Sequence, residues 1–253
     1  GDIGMHGEIH SHKTIVYIYI LKQFDMATLT KDNLDFLRKL KANNDRDWFN
    51  ANKDEYLKQH QDIIEFADDL LEKLRKHDKI ETPSGKKAIF RIYRDVRFSK
   101  DKSPYKTHWA GSFKRATKYL RGGYYFHIEP DGVFVGGGFW APNKDDLQRI
   151  REDIVTDASE LRSIINSKSF KSAFGTLDGE QLKSSPKGFD KEHPDIDLLR
   201  YKQFIVSKKF SNEEALSKDF SKMVNDTFKE MRPFFDYMSV SVTTDANGVS
   251  IFD

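Results

Sequence analysis

The chain contains no cysteine in its 253 residues. That absence excludes disulfide bridges, thiolate-bound zinc and cysteine nucleophiles, and makes an intracellular, reducing compartment, the cytoplasm, the expected setting. Net charge is scarce as well, since 42 Lys and Arg against 40 Asp and Glu leave only +2. The longest apolar run, residues 14 to 21, is far short of the roughly 20 residues that span a bilayer, so no membrane association is expected. Several site signatures are missing: there is no Gly-x-x-x-x-Gly-Lys-Ser/Thr loop, no strand-linked Gly-x-Gly-x-x-Gly, no Gly-x-Ser-x-Gly elbow and no His-Glu-x-x-His. Nucleotide-binding and serine-hydrolase readings lose their usual support, no metal is expected, and no cofactor is named. What the chain does have is 38% hydrophobic and 13% aromatic residues, enough for a substantial core.

Charge is unevenly distributed. Residues 86 to 118 hold eleven Lys and Arg, with only Asp95 and Asp101 against them. Such a local excess marks contact with phosphate, carboxylate or nucleic acid, or else a solvated basic loop. At its centre, residues 88 to 98 read as a strand that places Phe90, Ile92, Arg94, Val96 and Phe98 on one face. Arg94 then sits among apolar neighbours, where an unpaired guanidinium costs several kcal/mol, so it must meet a carboxylate, backbone carbonyls or a ligand unless a bulge turns it outward.

Residues 1–25 read as a leader, expression-derived or otherwise appended, because Gly1 resembles a cleavage scar and Met26 a natural start. Within it, residues 14 to 21 suggest an added strand, and His6, His10 and His12 an incidental metal affinity. Residues 26–238 are expected to form a single α+β domain, a largely antiparallel mixed sheet flanked by helices, and residues 239–253 a weakly patterned tail. Thr30 caps a helix to about Lys41, and Asp45 caps a longer one over residues 46 to 77. Strands follow at 88 to 98, 108 to 115, 123 to 129, 132 to 140 and 203 to 210, with Glu129-Pro130-Asp131-Gly132 turning a hairpin. Residues 143 to 166 predict one broken helix or two short ones covering a sheet face. Residues 168 to 199 predict a long ordered loop suited to a lid. Ser211-x-x-Glu214 opens a final helix running toward Tyr237. Nothing indicates repeats or oligomeric state.

Four stretches together resemble the family called domain of unknown function 2461: Asn43-Asn44-Asp45-Arg46-Asp47-Trp48-Phe49, residues 91 to 106, Gly136-Gly137-Gly138 and Pro186-Lys187-Gly188-Phe189-Asp190. The resemblance covers about residues 29 to 238. It implies a single α/β domain found in bacteria and fungi, and carries no activity with it.

The basic segment predicts a pocket for an anionic, phosphate- or carboxylate-bearing small molecule. Arg94 and Arg97 clamp it, Arg91 and Asp95 support them, and Lys100, Lys102 and Lys106 attract the anion. Tyr105 and His108 donate hydrogen bonds, Gly137 leaves room, and Lys187 closes the site from the long loop. The candidate catalytic set is His127 with Glu129, two apart on one strand face, with Asp95 or Glu129 to orient the imidazole and Tyr125 alongside. Two rival readings stand. Trp109, Phe113, Tyr119, Tyr124 and Tyr125, interleaved with Lys106, Lys114, Arg115, Lys118 and Arg121, suit single-stranded nucleic acid. Alternatively, the arginines pair with carboxylates and the segment is purely structural.

Overall fold

The computed structural model describes residues 28–245 and 247–252, so the leader with its histidines and its apolar run lies outside the described residues. Burial that alternates along most of each strand decides how the sheet is layered. Strands β1 (Trp109–Lys114), β2 (Gly123–Ile128), β3 (Val133–Phe139) and β4 (Phe204–Phe210) form one antiparallel sheet in the order β1-β2-β3-β4. Trp109 and Phe113, then Tyr124, Phe126 and Ile128, then Val133, Val135 and Phe139, then Phe204, Val206 and Phe210 are all buried on one face. The other face carries Ser112, Tyr125, His127, Phe134 and Ser207, all half-buried. At the β2–β3 hairpin, Gly132 N–H donates to Glu129 O (3.0 Å) while Asp131 takes a positive φ of 62°.

Ten helices accompany the sheet among the described residues. Helix α1 (Lys31–Ala42) and α3 (Lys53–Arg75) pack together, and Asn33 ties them to the sheet. Its amide donates to Gln59 Oε1 (2.7 Å) and Asp62 Oδ2 (2.9 Å), and its carbonyl accepts from Trp109 Nε1 (3.2 Å). The helix expected over 46 to 77 is two helices. Short α2 (Arg46–Ala51), capped by Asp45, ends at Asn52, whose side chain turns back to Trp48 O (2.8 Å).

The region expected as a first strand is the main departure. Helix α4 (Gly85–Ala88) occupies its start, and beyond it only the isolated bridges Ile89↔Gly111 and Tyr93↔Tyr105 form. The chain leaves the β1 edge after Phe90 and folds back on itself, with Arg94 N–H donating to Pro104 O and Lys106 N–H to Ile92 O. A β-rich composition without a neighbouring strand to complete the ladder yields a turn.

Helices α5 (Lys144–Thr156), α6 (Ser159–Asn166) and α7 (Lys168–Phe174) pack against the last helix rather than spreading over a bare sheet face. Short α8 (Ile196–Leu199) ends the long loop, whose flanks bridge to β4 and its approach at Asp178↔Ile205 and Gln181↔Tyr201. Ser211 and Glu214 do form a capping box, but on the one-turn helix α9 (Asn212–Ala215). The long helix α10 (Phe220–Thr243) starts afresh and continues past Met238, burying Ser239, Ser241, Val242 and Thr243. No helix among the described residues is long and apolar enough to cross a membrane.

Candidate functional site

The basic turn satisfies most of its own charges. Arg94 lies in a half-buried position, and its guanidinium donates to Asp101 Oδ2 (2.5 Å) and to Ser103 O (3.1 Å). Arg97 grips Asp95 through Nε (3.0 Å) and Nη2 (2.7 Å), well out in solvent. Lys102 Nζ donates to Val96 O (2.9 Å) and Lys106 Nζ to Arg91 O (2.7 Å). Phe98, expected on an apolar face, is 96% exposed, and Lys100 and Arg91 are exposed too. Tyr105 is buried, stacked on Phe49 with ring centres 4.0 Å apart, and its backbone makes a reciprocal pair with the Asn44 side chain. These contacts hold the turn in shape, with Asp101 and Asp95 as the carboxylates that Arg94 and Arg97 meet.

Asp101 anchors this turn. Hydrogen bonds from the Ser103 hydroxyl and amide, then from Arg94, pull its carboxyl from the ordinary 3.8 down to about 2. A depressed pKa gives stability that is complete above the ordinary value and lost as pH falls through the lowered one. The Ser103 amide signal in an NMR titration is therefore expected to stay constant down to about pH 4 and to move only as pH approaches about 2. A midpoint near the ordinary value would show that Asp101 is not held.

Three of the expected residues do converge, on the half-buried sheet face. His127 and Glu129 are two apart along β2 and its end, and extending the β1–β2 register one pair beyond Trp109↔Ile128 sets His108 opposite Glu129. The nitrogen and oxygen atoms that His108, His127 and Glu129 can offer lie within 4.8 Å of one another. His127 Nε2 is 3.4 Å from Glu129 Oε2, its Nδ1 is 2.9 Å from Tyr125 Oη, and the two imidazole centres are 4.2 Å apart. Phe134 stacks on the His127 ring at 4.7 Å. Burial, then the neighbouring His127, pushes His108 down to about 4. Burial lowers His127 as well, against the opposing pull of Glu129. Both rings therefore keep a nitrogen lone pair at neutral pH. Lys106, half-buried, lies close enough to His108 to act on it, and burial followed by Arg91 lowers its own pKa.

Other expected participants are elsewhere. The carboxylate of Asp95 is engaged by Arg97. Gly137 faces the core under α10: a Cβ there would meet Phe235 Cζ at 2.6 Å and Gly123 O at 2.7 Å, so the glycine answers to packing. Lys187 is exposed on a loop whose flanks are tied to the β4 edge, and no hydrogen bond or ion pair joins it to the basic turn among the described residues. Of the aromatics proposed as stacking platforms, Trp109, Phe113 and Tyr124 are buried in the core.

The sequence reading placed Arg115 among the contacts for nucleic acid, whereas it is the most deeply buried charged residue among the described residues. Arg115 is 1% exposed and donates to Asp78 (2.8 Å), Asp236 (2.5 Å) and Ser239 (3.3 Å), while Tyr124 Oη donates to Asp78 Oδ2 (2.6 Å). Beside it an open cleft of about 790 Å³ is lined by His77, Lys79, Tyr119, Arg232 and Asp236 among others. Arg232 there is engaged by Asp236 and by His77 O, and His77 Nε2 by Asn225 (2.9 Å).

The sequence profile of a family described as conserved hypothetical protein (DUF2461) matches residues 32–237. The chain belongs to the DUF2461 family. Comparison with curated proteins and with solved structures finds no match. The DUF2461 region takes in the whole sheet, the basic turn and the His108–His127–Glu129 cluster.

Proposed function

We propose that this DUF2461 protein binds a small phosphate- or carboxylate-bearing compound on the half-buried sheet face beside β1 and β2. His108, His127 and Glu129 provide acid–base groups there, and Lys106 and Arg91 provide positive charge. The observation that carries this reading is the gathering of two imidazoles and a carboxylate from neighbouring strands next to a half-buried lysine. The Arg91 guanidinium makes no hydrogen bond among the described residues, whereas those of Arg94 and Arg97 are engaged by Asp101 and Asp95. The anion reading therefore rests on the sheet side of the turn, with Arg94 and Arg97 as its frame.

A thermal-shift panel of inorganic phosphate, phosphate monoesters, dicarboxylates and short oligonucleotides tests it, repeated with Lys106→Met and Arg97→Ala. At a hundredfold excess over Kd a bound ligand adds about 2.7 kcal/mol, a rise of roughly 5–10 °C for a domain of this size. One class of small anion is expected to give that rise, with Lys106→Met abolishing it and Arg97→Ala leaving it in place. No response from any small anion, or a response that needs Arg97 and ignores Lys106, would overturn the reading. A salt-sensitive response to oligonucleotides alone would transfer the argument to nucleic acid.

A further inference from the structure

We infer that His108, His127 and Glu129 bind a divalent transition-metal ion of the zinc and iron(II) class, each supplying one donor atom. This inference rests on the same cluster as the proposed anion site and specifies what would hold the anion there. Metal–nitrogen and metal–oxygen bonds of about 2.0–2.2 Å bring neighbouring ligand atoms to roughly 3.3 Å from each other in a tetrahedral shell. His127 Nε2 and Glu129 Oε2 already stand 3.4 Å apart, and no pair within the three-atom set exceeds 4.8 Å. His108, opposite Glu129 in the β1–β2 register, supplies the third donor atom within that distance.

The atoms behind these donors are also arranged as a metal site needs. Tyr125 Oη holds His127 Nδ1 at 2.9 Å, which leaves Nε2 as the atom facing Glu129. Thr107 Oγ1 donates to Glu129 Oε1 (3.3 Å), and Lys41 Nζ stands 3.8 Å from the same oxygen, so Oε2 is the one directed at His127. Outer contacts of this kind fix the orientation of imidazole and carboxylate ligands. The donor set fixes the class of ion. Two imidazoles with one carboxylate suit zinc or iron(II), whereas calcium and magnesium favour oxygen ligands throughout. Three protein ligands on one side leave positions open on the other, where a phosphate or carboxylate oxygen completes the shell.

Titration calorimetry of the chelator-treated full chain with Zn²⁺, paired with the visible spectrum after Co²⁺ addition, tests the inference. The leader histidines are a competing source of binding, so the measurement is repeated on a full-length variant with His6, His10 and His12 all changed to Ala. One equivalent of Zn²⁺ is expected to bind in both proteins, weakened at least a hundredfold by His127→Ala and roughly tenfold by Tyr125→Phe, which keeps all three ligands. Circular dichroism confirms that the variants are folded, and His108→Asn serves as the ligand variant if His127→Ala is not. Binding that vanishes with the leader histidines, or that ignores both His127→Ala and His108→Asn, would overturn the metal site. The two readings fail separately. Anion stabilisation that persists in chelator-treated protein without Zn²⁺ binding removes the metal and leaves the anion site. Zn²⁺ binding at the cluster with no response to any anion supports the metal and removes the ligand.

Discussion

Arg115→Met is expected to destabilise the domain by about 3–5 kcal/mol, the cost of leaving a buried carboxylate without its cation. Asp78 is the residue left behind: its side chain is 1% exposed, and Arg115 supplies its ion pair at 2.8 Å. The Tyr124 hydroxyl remains to it, with Arg232 at 3.5 Å, so the loss is large without being total. Against the 5–15 kcal/mol that a typical domain holds, this is a fall in melting temperature of roughly 10 °C. Arg97→Ala, which removes an ion pair from solvent, is expected to leave stability nearly unchanged. Changing Asp78 to Leu in the Arg115→Met background should recover part of the loss, because two apolar partners no longer leave a charge stranded. Chemical denaturation of the three variants checks this. A cost for Arg115→Met no greater than that for Arg97→Ala would show that the buried network is dispensable to the fold.

Gly137→Ala is the second large effect, at about 3 kcal/mol. An added methyl there would lie 2.6 Å from Phe235 Cζ, 2.9 Å from Met231 Sδ and 2.7 Å from Gly123 O. The two side chains belong to α10 and can shift slightly, but the carbonyl belongs to the paired strand β2 and cannot do so without breaking the ladder. Overpacking of this kind costs about 1–3 kcal/mol, and a backbone obstacle puts it at the upper end. Gly132 is the matched control, because a methyl there would find nothing nearer than Glu129 Cβ at 3.6 Å. Urea midpoints for the two variants should differ clearly, while the folded fraction of Gly137→Ala keeps its full affinity for ligand. Equal midpoints would remove the packing explanation, and a folded variant with lost affinity would return Gly137 to the binding site.

Strand β2 was legible because large apolar residues alternate with residues of the half-buried face, and β1, β3 and β4 through short runs of apolar and β-branched or aromatic residues bounded by turn signals. Residues 88 to 98 share the composition but have no strand beside them over most of their length, which local pattern does not report. The argument that a charge among apolar neighbours needs a partner holds for Arg94, which meets Asp101 and Ser103 O, and applies with more force to Arg115. That residue follows Trp109, Gly111 and Phe113 at the same parity, so the face it takes was readable, while Asp78, 37 residues away, was not. His127 and Glu129 were visible as an i, i+2 pair. Their junction with His108 needed the β1–β2 register, a long-range fact. The glycine triplet interrupts an otherwise regular strand pattern, yet only the position of α10 explains Gly137.

The most direct test of the central claim is an amide-resolved NMR titration of the full chain with inorganic phosphate and with citrate as probes. The account predicts shifts concentrated at residues 107 to 110 and 125 to 129, with residues 94 to 103 nearly unmoved. Shifts concentrated in the 94 to 103 turn, with the sheet face silent, would contradict it and return the ligand to Arg94 and Arg97.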